Sequence, residues 1–108
     1  MSQDIALKYK LFKFINDHPE LKQRELAHSL DLSLGKANYC LKALVDKGFV
    51  KADNFKNSKH KVAYAYVLTP KGIEEKIRVT YQFYKRTEVE YEMLRKEILE
   101  LEVSRAGE

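Results

Sequence analysis

The chain has no tryptophan, one cysteine, two prolines and four glycines among 108 residues. A lone Cys40 makes no internal disulfide, and with three dispersed histidines it builds no metal-ligand cluster, so no metal and no cofactor are expected. With no second cysteine to resolve an oxidised thiol, Cys40 reads as a small, partly buried structural residue. The glycines at 35, 48, 72 and 107 are too scattered to form a phosphate loop, and no Ser/His/Asp or paired-carboxylate arrangement stands out. An enzyme is not expected. No run approaches the roughly 20 apolar residues that cross a bilayer. Asp4 falls in the N-terminal stretch MSQDIALKYK where a signal peptide needs a positive flank and an apolar run. The expectation is a cytoplasmic chain with no membrane partner.

What is present is charge, unevenly distributed. The net charge is +4, yet the segment from Glu88 onward carries seven acids against Arg95, Lys96 and Arg105. The rest of the chain is therefore +8, and residues 33–61 hold seven lysines against Asp46 and Asp53. A basic body with an acidic tail points to a polyanionic partner, because clustered lysines raise the local potential and release counterions when they meet phosphates.

The length fits one compact domain plus one extended element. Residues 4–17 read as a helix apolar on two sides, with Leu7, Leu11, Phe14 and Ile15 on one face and Ile5, Tyr9 and Phe12 nearly opposite. A helix of that kind needs two partners, and Asp17-His18-Pro19 ends it. A short second helix spans about Lys22 to Leu30, with Leu26, Ala27 and Leu30 inward. After the tight turn Asp31-Leu32-Ser33, Ser33 caps a third helix from Leu34 to about Lys47, and Gly48 stops it. Ala37, Leu41, Leu44 and Val45 share its buried face, whereas Gly35, Lys36, Tyr39, Lys42, Ala43 and Asp46 fall on the other.

Beyond Gly48 the period changes. Phe49–Asp53 and Val62–Leu68 are strand-like and flank the polar run 54–61, a β-hairpin with a basic tip. Thr69 and Pro70 then open a last helix as N-cap and first residue, and no breaker interrupts it before about Ser104. Its apolar positions alternate by four and three: Ile73, Ile77, Thr80, Tyr84, Thr87, Tyr91, Leu94, Ile98 and Leu101. Such a heptad seam predicts a two-chain coiled coil, parallel or antiparallel. Tyr81 and Phe83 widen the stripe near its start and offer a surface for Ile5, Tyr9 and Phe12 of the first helix.

The predicted fold is mainly α with a small β-hairpin wing: a winged helix-turn-helix domain over 1–69, followed by a long dimerisation helix over 70–108. The segment Gln23-Arg24-Glu25-Leu26-Ala27-His28-Ser29-Leu30-Asp31-Leu32-Ser33, followed by Leu41–Val50, resembles the helix-turn-helix of the MarR family of bacterial transcription regulators. Val67-Leu68-Thr69-Pro70-Lys71-Gly72 is similar to the junction with which that family leaves its wing. Short length and a single terminal helix look most like the small MarR-type regulators associated with exopolysaccharide (EPS) gene clusters. The resemblance implies a homodimer on a pseudo-palindromic duplex operator, usually a repressor, and leaves any small-molecule effector unknown. The chain departs from the family pattern at Lys22, where a Ser/Thr cap is usual, and in a wing of lysines and His60 where an arginine is common.

On this reading Ser33, Leu34, Gly35, Lys36, Asn38, Tyr39 and Lys42 enter the major groove. Gln23 and Arg24, with Lys56, Asn57, Ser58, Lys59, His60 and Lys61 of the wing, grip the backbone. Ile73, Ile77, Tyr84, Tyr91, Leu94, Ile98 and Leu101 hold the dimer. The rival reading is a winged-helix interaction module whose long helix recruits a partner protein.

Overall fold

The computed structural model describes residues 4–18, 22–56 and 62–107. Its elements are α1 (Ile5–Asp17), α2 (Gln23–Ser29), α3 (Leu34–Asp46), β1 (Val50–Lys56), β2 (Val62–Leu68) and α4 (Pro70–Ala106). This is the winged helix-turn-helix order expected from the sequence.

Local chemistry sets most of the boundaries. α1 ends where the His18 amide bonds back to the Phe14 carbonyl at 3.0 Å and the two rings stack at 4.1 Å. The α2–α3 turn is made by Asp31 at φ 55, a left-handed position that Asp tolerates better than most non-glycine residues. It lets the Leu32 amide reach the Ala27 carbonyl at 2.8 Å and holds the two helices close. Ser33 caps α3 by accepting the Lys36 amide at 3.0 Å. Gly48, at φ 80, closes α3 and turns the chain into β1.

The strands pair antiparallel in one two-stranded sheet, from Val50 opposite Leu68 to Lys56 opposite Val62. Thr69 fastens the hairpin to the helix ends. Its hydroxyl donates to the Gly48 carbonyl at 2.5 Å and accepts the Gly72 amide at 2.9 Å, which caps α4.

The core is formed by Leu11, Phe12 and Ile15 of α1, Leu26 and Ala27 of α2, Ala37, Leu41 and Leu44 of α3, Val50 and Tyr66 of the wing, and Val79 of α4. Two sequence expectations shift here. Phe12 does not serve an outer face: it is buried in this same core, its ring 6.0 Å from that of Phe49. The first turns of α4 close over α1 through Val79, so both apolar sides of α1 line one continuous core. Phe14, Leu30 and Val45 lie half-buried at its margin. The expected contact with α4 is made by Tyr9, which stacks on Phe83 at 5.0 Å and 19°. Tyr81 takes no part and is exposed, since at about 100° per residue it points away from the face that Val79 and Phe83 share.

α4 has 37 residues, about 55 Å of helix at 1.5 Å per residue, and gives the molecule its extents of 70 × 27 × 24 Å. Only its first turns are packed. From Tyr84 to Gly107 every residue is exposed. Among the described residues no helix is long and apolar enough to cross a membrane.

Candidate nucleic-acid interface

α3 is amphipathic because its apolar residues recur at three and four, and burying Ala37, Leu41 and Leu44 turns the opposite face outward. Leu34, Gly35, Lys36, Asn38, Tyr39 and Lys42 all lie exposed along it, with Ser33 at its cap. Tyr39 is 69% exposed, and the Lys36 ammonium stands 5.7 Å from the centre of its ring. Nothing lies within 4 Å of where a Cβ on Gly35 would be, so the first turn presents bare backbone to whatever approaches.

Gln23 has a role that the sequence did not single out. From the start of α2 its Nε2 donates to Asn38 Oδ1 at 3.1 Å and to the Tyr66 hydroxyl at 3.4 Å. One side chain thus links α2, α3 and β2. Asn38 therefore has its carbonyl oxygen engaged by Gln23, and a bidentate contact to an adenine, which needs that oxygen, requires Gln23 to let go. Arg24, next in line, is exposed. Lys56 ends β1, and Asn57, Ser58, Lys59, His60 and Lys61 fall outside the described residues.

Beside α3, on the side facing α1 and α4, runs a groove of about 1060 Å³. Lys8, Lys36, Lys47, Arg78, Lys85 and Arg86 line it against the single acid Asp4, over an apolar floor that includes Ile5, Leu7 and Leu11. Cys40, half-buried, lines it too. Its α4 wall is partly neutralised. Arg78 forks onto Glu75 at 2.6 and 2.8 Å, and these hydrogen bonds hold the Glu75 carboxyl below its ordinary value. Arg86 pairs with Glu90 at 3.3 Å. The surface around α3 is therefore positive over a wide area, with the arrangement to attract a polyanion and a low helix face to approach it. Among the described residues no group of three His, Cys, Asp or Glu side chains is placed to hold a metal.

The residues expected to hold a dimer are placed together. Ile73, Ile77, Tyr84, Tyr91, Leu94, Ile98 and Leu101 are all exposed on one side of α4.

Residues 6–51 match the family model described as winged helix-turn-helix DNA-binding. The matched segment runs from α1 to the first residues of β1 and so covers the helix-turn-helix of the fold. No curated protein matches the sequence. Among solved structures, the chain is similar to a PadR-like transcriptional regulator from Bacillus cereus, with a TM-score of 0.70 and 16% identity over 82% of this chain and 92% of that one. It is also similar to Staphylococcus aureus MarR in complex with salicylate and kanamycin (TM-score 0.60, 23% identity, 78% of this chain and 55% of that one). A third likeness is to Streptococcus pneumoniae FabT in complex with DNA (TM-score 0.54, 22% identity, 82% and 60%). The fold is shared with these regulators, and the chain spans nearly all of the first but little more than half of the other two.

Proposed function

We propose that the protein is a sequence-specific, double-stranded-DNA-binding transcriptional regulator of the MarR type that acts as a homodimer. The observation that carries this reading is the exposed face of α3, where Lys36, Tyr39 and Lys42 project beside a basic groove from a helix held by its Ser33 cap and by Gln23. In this reading residues 1–69 bind DNA and residues 70–108 hold the dimer, on a pseudo-palindromic operator whose two half-sites face two copies of α3. The seven α3 residues Ser33, Leu34, Gly35, Lys36, Asn38, Tyr39 and Lys42 meet the major groove, and Arg24 and the wing lysines meet phosphates. Repression is the expected direction, EPS genes are the expected target and the cytoplasm is the expected compartment, all three from the sequence resemblance.

The deciding experiment is a mobility shift on DNA from upstream of the protein's own gene, with and without excess random competitor. Retention of the shifted band under competitor is the expected result. A protein that binds no DNA, or binds all DNA alike, overturns the reading. The exposed outer half of α4 gives the rival its footing, as a module that recruits another protein, and failure on DNA together with a monomeric state would favour it.

A further inference from the structure

The outer half of α4 is the largest unexplained feature of the molecule. Ion pairs spaced by three and four residues, such as Arg86 with Glu90 and Arg95 with Glu92, support it as a helix, but they do not account for its apolar seam. The seam is open along α4 except at the half-buried Thr80, because α1 packs on a neighbouring face through Val79 and Phe83 and leaves Ile73 and Ile77 exposed.

We infer that a second copy of the chain covers this seam with its α4 running antiparallel, the midpoint lying near Val89; the inference rests on the homodimer reading above. Two independent features favour this direction. The first is side-chain size. A parallel pair sets each seam residue against itself, giving Tyr84 on Tyr84, Tyr91 on Tyr91, Thr80 on Thr80 and Thr87 on Thr87. Layers would then alternate between overfilled and underfilled, and both faults cost stability. In an antiparallel pair centred near Val89 the layers become Ile77 on Leu101, Thr80 on Ile98, Tyr84 on Leu94 and Thr87 on Tyr91. Each threonine then meets a large side chain and no tyrosine meets another.

The second feature is charge. Residues 70–87 hold Lys71, Lys76, Arg78, Lys85 and Arg86 against Glu74 and Glu75, whereas residues 88–107 hold six glutamates against Arg95, Lys96 and Arg105. Antiparallel pairing lays each positive half along the negative half of the other copy, and parallel pairing stacks like on like.

The direction also sets the spacing of the DNA-binding faces. Each body is fastened to α4 between Gly72 and Phe83, around Ile77, and in the antiparallel pair this anchor faces Leu101 of the other copy. The two anchors then stand about 24 residues, or about 36 Å, apart along the helices. That is of the order of the roughly 34–36 Å between half-sites one duplex turn apart, to which the offset of each α3 from its own anchor is added. In a parallel pair the anchors sit at one height, separated only by the roughly 8–10 Å between packed helix axes.

Disulfide trapping tests the direction. In a Cys40→Ser background, Ile77→Cys and Leu101→Cys are made separately, both at exposed positions, and are oxidised alone and after mixing and reannealing of subunits. The expected result is a crosslinked dimer in the mixture, about tenfold or more above either variant alone, because cysteines whose Cα atoms stand more than about 7 Å apart do not bridge. Efficient self-crosslinking of Leu101→Cys alone means a parallel pair and overturns this inference while leaving the homodimer reading intact. Dimers by sedimentation with no crosslink in any arm place the interface elsewhere and also overturn it. Monomers by sedimentation overturn the homodimer reading itself.

Discussion

Gly72 lies directly against the Phe49 carbonyl: a Cβ on Gly72 would stand 1.9 Å from that oxygen. The contact lets α4 start hard against the end of α3, where the Phe49 carbonyl also accepts the Thr69 amide at 3.0 Å and the Lys71 ammonium reaches the Lys47 carbonyl at 3.1 Å. Two glycines of this chain therefore behave oppositely on substitution. Gly72→Ala gains about 1 kcal/mol of helix propensity but forces backbone apart, at a cost of roughly 1–3 kcal/mol, so the net effect is a loss of stability in chemical denaturation. Gly35→Ala meets nothing within 4 Å and gains up to about 1 kcal/mol from propensity alone. It should at the same time weaken DNA binding, because its methyl group stands on the face of α3 that approaches the groove.

Ser33→Ala removes the side chain that accepts the Lys36 amide. Loss of such a cap costs roughly 0.5–2 kcal/mol, read as a lower denaturation midpoint at unchanged slope. Ser33→Asp keeps an acceptor at the same place and should restore most of the stability.

DNA affinity should fall steeply with salt, since lysines contacting phosphates release counterions on binding. Lys36→Ala and Lys42→Ala should each cost roughly 1–3 kcal/mol on the specific site and little on random DNA. Lys59→Ala should weaken both alike and flatten the salt slope by about one contact. Equal losses on the two DNAs for all three variants would reduce α3 to a backbone clamp.

Tyr9 and Phe83 should show a measurable coupling. Stacked rings contribute about 0.5–1.5 kcal/mol beyond the area they bury, so Tyr9→Ala and Phe83→Ala should destabilise less together than the sum of each alone. An additive double mutant would mean that the stacked rings contribute no coupling of their own.

Leu94→Asp combined with Ile98→Asp places charge in a seam where each side chain is expected to contribute roughly 1.5–3 kcal/mol on burial. Both positions are exposed in the single chain and remote from the core, so the variant should keep its helical circular dichroism. It should sediment as a monomer and lose most of its affinity for a palindromic site, because the second half-site contact is no longer made at high effective concentration. A variant that remains dimeric locates the interface away from this seam.

The elements themselves were legible in the sequence because their signals are local. Ser33 and Thr69 cap the helices they precede, Gly48 ends α3, and the uninterrupted run after Pro70 forms one helix through Ala106. The exposed face of α3 was legible for the same reason: helical period alone separates Lys36, Tyr39 and Lys42 from Ala37, Leu41 and Leu44. Periodicity says which residues share a face, not what that face meets, and this is where the tertiary structure decided. Phe12 and Tyr9 read as one stripe, yet α4 crosses α1 so that Phe12 joins the common core while Tyr9 meets Phe83. Gln23 read as a phosphate contact, and only the folded chain brings it beside Asn38, 15 residues away, and Tyr66, 43 residues away. Gly72 read as part of a motif, and its need for glycine comes from a carbonyl 23 residues earlier in the chain. Contacts of that separation depend on how helices cross and where a hairpin folds back, and no window of neighbouring residues carries that information.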